Sequence, residues 1–316
     1  MRKHLFILLI GILWGQLALA QADIVVQSVT GKVAYYAPQE SKAQNVYPGM
    51  RLSSNGKIRC QSGATIKLLR NGEIFLVKGS KQFALRELDQ KAKGGSNVGF
   101  MGRFSKFLSG SMKETQNDKE LEANHRRYME KARAGIDGFA DQAFPIKTSL
   151  LYSGTLSTPY TEFRWSGAAV GEDNRFQLRR KTDGLVILTA LMGDTVIWLN
   201  LAQLALESGA VYEWQLVDEK TGAGKSAKMT FVYDPAASDK VLDDLRSTID
   251  YQSASPAEQA LMEAFSLEEA GFFYDAALIY TDAAKRYAGN FLVRDTQAAF
   301  LSRMGLLEAA KALLKR

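Results

Sequence analysis

Thr65-Ile-Lys-Leu-Leu-Arg-Asn-Gly-Glu-Ile-Phe-Leu-Val77 decides how the first part of this chain folds. Two apolar-rich runs flank Asn71-Gly72, and Asn-Gly supplies the two positive-φ residues of a type I′ turn, whose twist matches the strands it joins. The stretch predicts a β-hairpin. Leu68 and Leu69 should point to opposite faces of its first strand, because strand side chains alternate. Working outward, Val29-Thr-Gly-Lys-Val33 and Tyr47-Pro-Gly-Met-Arg-Leu52 precede a second turn at Asn55-Gly56. Ile58-Arg-Cys-Gln-Ser-Gly63 then leads into the hairpin.

The ordered set Gly31-x-Val33, Pro48-Gly49-x-x-Leu52, Ile58, Ser62-Gly63-Ala64, Leu68 to Gly72 and Val77-Lys-Gly-Ser80 resembles the FecR-like periplasmic domain. The resemblance covers residues 24 to 88 and implies a small all-β module, placed here at 21–88. That family is defined by strands and glycine turns, so the resemblance brings no reactive group with it.

At 316 residues the chain has room for two or three domains, each with its own core. Residues 1–20 read as a secretory signal: Arg2-Lys3, the apolar run Leu5 to Trp14, then Ala18-Leu-Ala20 as a small-residue cleavage site. Ala20-Gln-Ala22 serves equally well, so the mature chain is expected to start at Gln21 or Asp23. The competing reading is an uncleaved anchor, for which the run is short. No other stretch approaches the roughly 20 apolar residues of a bilayer crossing. The one cysteine, Cys60, lies inside the β-module, which argues against a lipoprotein and excludes an intramolecular disulfide. Losing Arg2 and Lys3 lowers the formal charge from +6 to +4 (6 − 2), a mild balance that does not demand nucleic acid.

Residues 89–149 read as a linker and a charged helical connector. Asp89 to Asn97 carries Lys91, Lys93, Gly94 and Gly95. Phe100, Phe104, Phe107 and Leu108 share a helical face, either as a basic amphipathic segment for a membrane or partner, or as a short helix on its own β-module. The glycines at 99, 102 and 110 favour the second. Asn117 to Arg133 predicts a solvated connector helix, capped by Asn117 or Asp118, with a favourable Glu122–Arg126 pair and an unfavourable Arg127–Lys131 pair.

Residues 150–234 predict a β-sandwich, from short apolar runs such as Phe163-Arg-Trp165 and Phe176-Gln-Leu178 separated by Gly, Asn, Asp and Ser clusters. Leu206-Glu-Ser-Gly-Ala-Val-Tyr-Glu-Trp214 resembles the strand entry of fibronectin type III and related immunoglobulin-like modules, where an aromatic anchors the corner. Trp165 and Trp214 read as core residues rather than a sugar-stacking platform.

Residues 239–316 turn helical and Ala-rich. Ala264 and Ala298, Leu267 and Leu301, Gly271 and Gly305, and Ala276 and Ala310 each lie 34 apart. That is the period of the tetratricopeptide repeat, which Ala264 to Ala283 resembles. Two units are fewer than stack stably alone, so they should lean on a helix over Lys240 to Tyr251 or on the sandwich. By that resemblance, Phe265, Glu269, Asp295 and Arg303 are the candidate partner-binding residues of an open groove. The alternative is that the tail docks onto the sandwich and buries Phe265.

Glu219-Lys-Thr-Gly-Ala-Gly-Lys-Ser226 carries the tail of a phosphate-binding P-loop, but Glu219 stands where the motif's first glycine belongs. Flanking strand-like runs make it a hairpin tip, and no cofactor is expected. His125, the one histidine beyond the signal, has no nucleophile motif beside it, and no zinc or calcium ligand spacing occurs. Carboxylates distant in sequence could still meet, since glycosidase sites carry no local signature.

The fold class expected is multidomain, mainly β with an α C-terminus: a FecR-like β-module, a connector helix, an immunoglobulin-like sandwich and a tetratricopeptide-like array. The function expected is that of an exported, non-enzymatic periplasmic scaffold binding an envelope protein or a cell-wall polymer. The alternative is a FecR-type envelope sensor. Such regulators have a cytoplasmic segment ahead of a membrane helix, and only Met1 to His4 precedes the apolar run here.

Overall fold

Alternating apolar residues in short strands, followed by Ala-rich helical stretches, give a chain of two units, residues 1–109 and 110–316. The computed structural model describes residues 24–80, 82–88, 99–135, 144–167, 174–192 and 194–315. The expected export signal with its expected cleavage points, and the expected linker at 89–97, lie outside the described residues. Among those described, no helix is long and apolar enough to cross a membrane.

The first unit holds β1 (Ile24–Thr30), β2 (Val33–Tyr36), β3 (Gln44–Asn45), β4 (Arg51–Leu52), β5 (Lys57–Cys60), β6 (Thr65–Arg70), β7 (Glu73–Lys78) and β8 (Gln82–Ala84). They form two antiparallel sheets, β4-β1-β6-β7 and β3-β2-β5-β8. Their shared core takes Ile24, Val26, Ile66 and Leu68 from one sheet and Val33, Tyr35, Ile58 and Cys60 from the other. Strand alternation thus sorts each sequence into a core face and an outer face.

The β6–β7 hairpin turns at Asn71 and Gly72, with φ of 52° and 79°, and its last pair is Arg70 opposite Glu73. Both turn residues sit in the left-handed region that Asn and Gly tolerate best. Leu68 faces the sheet–sheet core, while Leu69, paired with Val25, is buried on the opposite face. Helix α1 (Phe100–Glu114) meets the turn: Ser105 Oγ donates to Gly72 O at 2.5 Å, and Gly72 N–H donates to Ser109 Oγ at 2.9 Å. Phe104 and Leu108 are fully buried, so this segment packs on its own β-module.

The second unit contains α2 (Asp118–Gly135), β9 (Ile146–Lys147), a 3-10 turn at Leu150–Tyr152, β10 (Gly154–Leu156), β11 (Tyr160–Arg164) and β12 (Ser166–Gly167). There follow β13 (Asn174–Arg180), β14 (Val186–Leu191), β15 (Val196–Asn200), β16 (Val211–Asp218) and β17 (Met229–Tyr233). One sheet runs β10-β17-β16-β13-β14, with β10 parallel to β17 and the rest antiparallel. β11 and β15 pair separately, as do β9 and β12. Phe163 of β11 joins the layers, its ring centroid 5.4 Å from those of Phe176 and Trp214 and 6.0 Å from Phe231. Trp165 and Trp214 both lie in this core. Tyr212, at the entry to β16, accepts a hydrogen bond on its hydroxyl from Glu207 N–H at 2.7 Å. That bond pins the corner between β15 and β16 from inside the core.

Six helices complete the unit: α3 (Ala237–Arg246), α4 (Ile249–Gln252), α5 (Pro256–Glu269), α6 (Phe273–Arg286), α7 (Phe291–Arg303) and α8 (Leu307–Leu314). α5 opens on a capping box between Ser255 and Glu258, with Pro256 in its first turn, which sets its start sharply. Ala264, Ala276, Ala298 and Ala310 are all fully buried, because only a methyl group fits where paired helices approach. Gly271 and Gly305 turn the chain at φ of 84° and 88°. Tyr280 of one repeat and Phe300 of the next bring their rings to 4.8 Å.

The expectation of a solvated connector needs correcting. Asn117 does cap α2, accepting from Glu120 N–H at 2.9 Å. Yet α2 packs on the tail, with Leu121 fully buried beside Ala298 and Ala310. His125 Nδ1–H donates to Ser302 O at 2.9 Å, and Lys311 pairs with Glu122 at 2.6 Å. A single buried leucine among many charges is too weak a stripe for periodicity to register. α2 therefore supplies part of the support that two repeat units lack.

Candidate functional site: the cleft between sandwich and helices

Among the described residues β11 is paired on one side only, with β15, so alternate N–H groups along its other edge need partners. Tyrosines provide them. Tyr274, at the start of α6, accepts from Glu162 N–H at 2.9 Å, and Tyr152, from the 3-10 turn, accepts from Arg164 N–H at 2.9 Å. Their rings lie 6.1 Å apart. Burial raises the pKa of both phenols, so they stay protonated.

At the next residue, α6 is locked to the sandwich. Asp275 accepts from Thr158 Oγ1 at 2.6 Å and from Ser157 N–H at 3.2 Å. Thr155 N–H donates to Gly271 O at 3.0 Å, and a Cβ at Gly154 would stand 2.1 Å from that oxygen, so only glycine permits this approach. Leu150 N–H donates to Met304 O at 2.9 Å, which fixes the second repeat. The tail is thus docked on the sandwich at both repeats.

This docking leaves a cleft of about 430 Å³ beside the two tyrosines. Leu151, Tyr152, Trp165, Tyr274, Leu278 and Leu306 form its apolar wall. Lys147, Glu162 and Arg164 supply the charges, with Glu162 and Arg164 paired to each other at 2.5 Å. Tyr274, Leu278 and Thr281 share one face of α6 by their three- and four-residue spacing, and Leu278 is 44% exposed at the mouth. An apolar wall with a few charges at the edge suits a short peptide segment bearing a bulky side chain.

The residues singled out for an open groove fall elsewhere. Phe265, Asp295 and Arg303 are buried, with exposures of 6%, 3% and 9%, and Glu269 alone is exposed. None lines the cleft. Arg303 forks onto Glu268, at 2.8 and 3.0 Å, and reaches Glu114 at 3.1 Å. Tyr280 donates to Glu268 at 3.1 Å and Tyr128 to Glu114 at 2.9 Å, so five helices meet in one buried network. Burial works to lower the pKa of Arg303, but the two carboxylates outweigh it and hold the guanidinium charged. Asp295 is held by its neighbour Arg294 at 2.7 Å. The burial of Arg303 goes with its pairing to Glu114 and Glu268, which the repeat pattern does not encode.

The P-loop-like stretch closes the β16–β17 hairpin. Lys225 pairs with Asp218 at 3.0 Å, and Ser226 Oγ accepts from Leu216 N–H at 3.0 Å. Lys225 and Thr221 together hold the Asp218 carboxyl well below the usual carboxylate range. The lysine and serine that would serve a phosphate are therefore engaged inside the hairpin. Burial pushes the Cys60 thiol up, away from the reactive thiolate. Among the described residues, no group of three or more His, Cys, Asp or Glu is placed to hold a metal ion.

The cleft was missed because its residues come from positions 147–166 and from two segments of the tail, 274–281 and 305–306, with no motif linking them. No protein-family model matches this chain, and no curated protein matches it.

Proposed function

We propose that this protein is an exported, non-enzymatic interaction scaffold of the periplasm or cell envelope, and that the cleft between sandwich and helices receives a segment of an envelope protein. The cleft carries this reading. Its wall is apolar and aromatic, its charges among the described residues are Lys147, Glu162 and Arg164, and Leu278 stands open at its mouth. Three resemblances support the setting. The two facing sheets at residues 24–84 suit a FecR-like module. The β17-β16-β13-β14 order with a separate β11–β15 pair, and the Tyr212 corner, suit an immunoglobulin or fibronectin type III-like sandwich. The 34-residue helix pairs suit tetratricopeptide-like units.

A photo-crosslinking residue at Leu278 tests the binding claim in cells. A discrete envelope-protein adduct is expected there, absent when the same residue replaces exposed Leu76 of the first unit. Identical adducts at both positions, or none at Leu278, overturn it. Mass spectrometry of the purified protein tests export: a start at Gln21 or Asp23 is expected, and an intact Met1 overturns the cleaved form.

A further inference from the structure

Charge is divided very unevenly along this chain. Residues 24–109 hold 14 Lys and Arg against 4 Asp and Glu, a net of +10 (14 − 4). Residues 110–316 hold 24 against 29, a net of −5 (24 − 29). The modest total hides a strongly basic first unit, and such asymmetry points to an anionic partner for that unit.

The structure locates where such a partner would lie. β5 buries Ile58 and Cys60 in the core and turns Lys57 and Arg59 outward. Across the sheet Arg59 stands opposite Ala34, which stands opposite Asn45, while Lys57 stands opposite Tyr36. Ala34 is the small residue in that row, and it leaves a trough between Asn45 and Arg59. Two strand spacings make it about 10 Å wide, room for one extended chain. The trough belongs to a groove of about 920 Å³ that continues to Lys32, Gln61 and Ser62 at the ends of the strands. Among the described residues no carboxylate lines it. Among the described residues Lys32, Lys57 and Arg59 form no ion pair, so their charge is uncompensated.

We infer that this groove binds a carboxylate-bearing polysaccharide. Lys32 and Arg59 would take the carboxylates, and Asn45, Gln61 and Ser62 would exchange hydrogen bonds with sugar hydroxyls. Tyr36 offers the one aromatic face on which a sugar ring can rest. A nucleic acid fits less well, since single strands are held by several stacked aromatics along a dense cationic track. The inference rests on the scaffold reading only for the expectation that the chain meets envelope polymers, and it concerns a different unit from the peptide cleft.

The test uses the full mature chain and a fluorescent oligogalacturonate, with its methyl ester and an oligothymidylate of equal length as comparisons. Binding to the oligogalacturonate is expected, weakened by salt and absent for the neutral ester. Lys32→Gln with Arg59→Gln should weaken it by about tenfold or more, since each removes a charge-assisted hydrogen bond. Arg86→Gln with Lys106→Gln removes equal charge from exposed positions of the same unit that do not line the groove, and should change it little. Equal losses in the two double variants would mean attraction by net charge alone and would overturn the site. Equal binding of the ester, tighter binding of the oligothymidylate, or no binding at all would overturn the ligand class. The Leu278 crosslink reads the other unit, so its result stands apart from any of these.

Discussion

The hydroxyl of Tyr274 accepts the backbone N–H of Glu162 at 2.9 Å, so a repeat helix completes the unpaired edge of a sandwich strand. Tyr274→Phe keeps the ring and deletes the acceptor, leaving that N–H without its partner. The second unit should lose about 1–2 kcal/mol in urea unfolding. An unchanged midpoint would show that water replaces the hydroxyl without cost.

At the hairpin tip, Gly72 combines a φ of 79° with a close neighbour, since a Cβ there would stand 2.9 Å from Lys106 Cγ. The lysine side chain can yield, but the backbone cannot. Gly72→Val should therefore destabilise the first unit by about 1–2 kcal/mol, from the cost of a left-handed β-branched residue. Thermal unfolding of the full chain followed by hydrogen exchange at residues 65–78 would read it.

Phe265 distinguishes a docked tail from an open groove. It is 6% exposed, so Phe265→Ala should cost about 3–5 kcal/mol of stability, as expected for emptying a large buried site. Stability near that of the parent, together with loss of an envelope partner, would restore the groove.

Asp275 gives the second unit a pH dependence. Burial raises its pKa, and the hydrogen bonds from Thr158 and Ser157 offset this only in part. A group raised in the folded state contributes stability that is full below its unfolded pKa of about 3.9 and is lost as pH rises through the folded value. Unfolding free energy should thus fall with rising pH across that window. Asp275→Asn should flatten this part of the profile, as measured by urea midpoints on a pH series. An unaltered slope would place the titrating group elsewhere.

Much of the architecture could be read locally. Asn71-Gly72 encodes its turn through two backbone dihedrals, and the alanines at 34-residue spacing encode helix contacts through their size. The Leu206 to Trp214 stretch marked a corner that Tyr212 does anchor. What escaped depends on residues far apart in the chain. The burial of Arg303 needs Glu114, and the packing of α2 shows in sequence only as Leu121 and His125 among charges. The cleft depends on where the tail docks, for which Asp275 and Gly154 give no advance sign. The basic first unit was visible in the sequence, but a charge total over the whole chain cancels it against the acidic remainder.

The buried guanidinium of Arg303 also bears on how this chain must be born. Its bond to Glu114 spans 189 residues, and the bond from His125 to Ser302 spans 177. A chain made from its N-terminus releases α2 long before α7 exists to receive it. Closing so long a loop is slow, and until it closes Leu121 and the carboxylate of Glu114 wait in water. The second unit therefore reaches its final form only once α7 has been made. A truncation that removes the last repeat would leave its first helix without a seat and expose it to proteases.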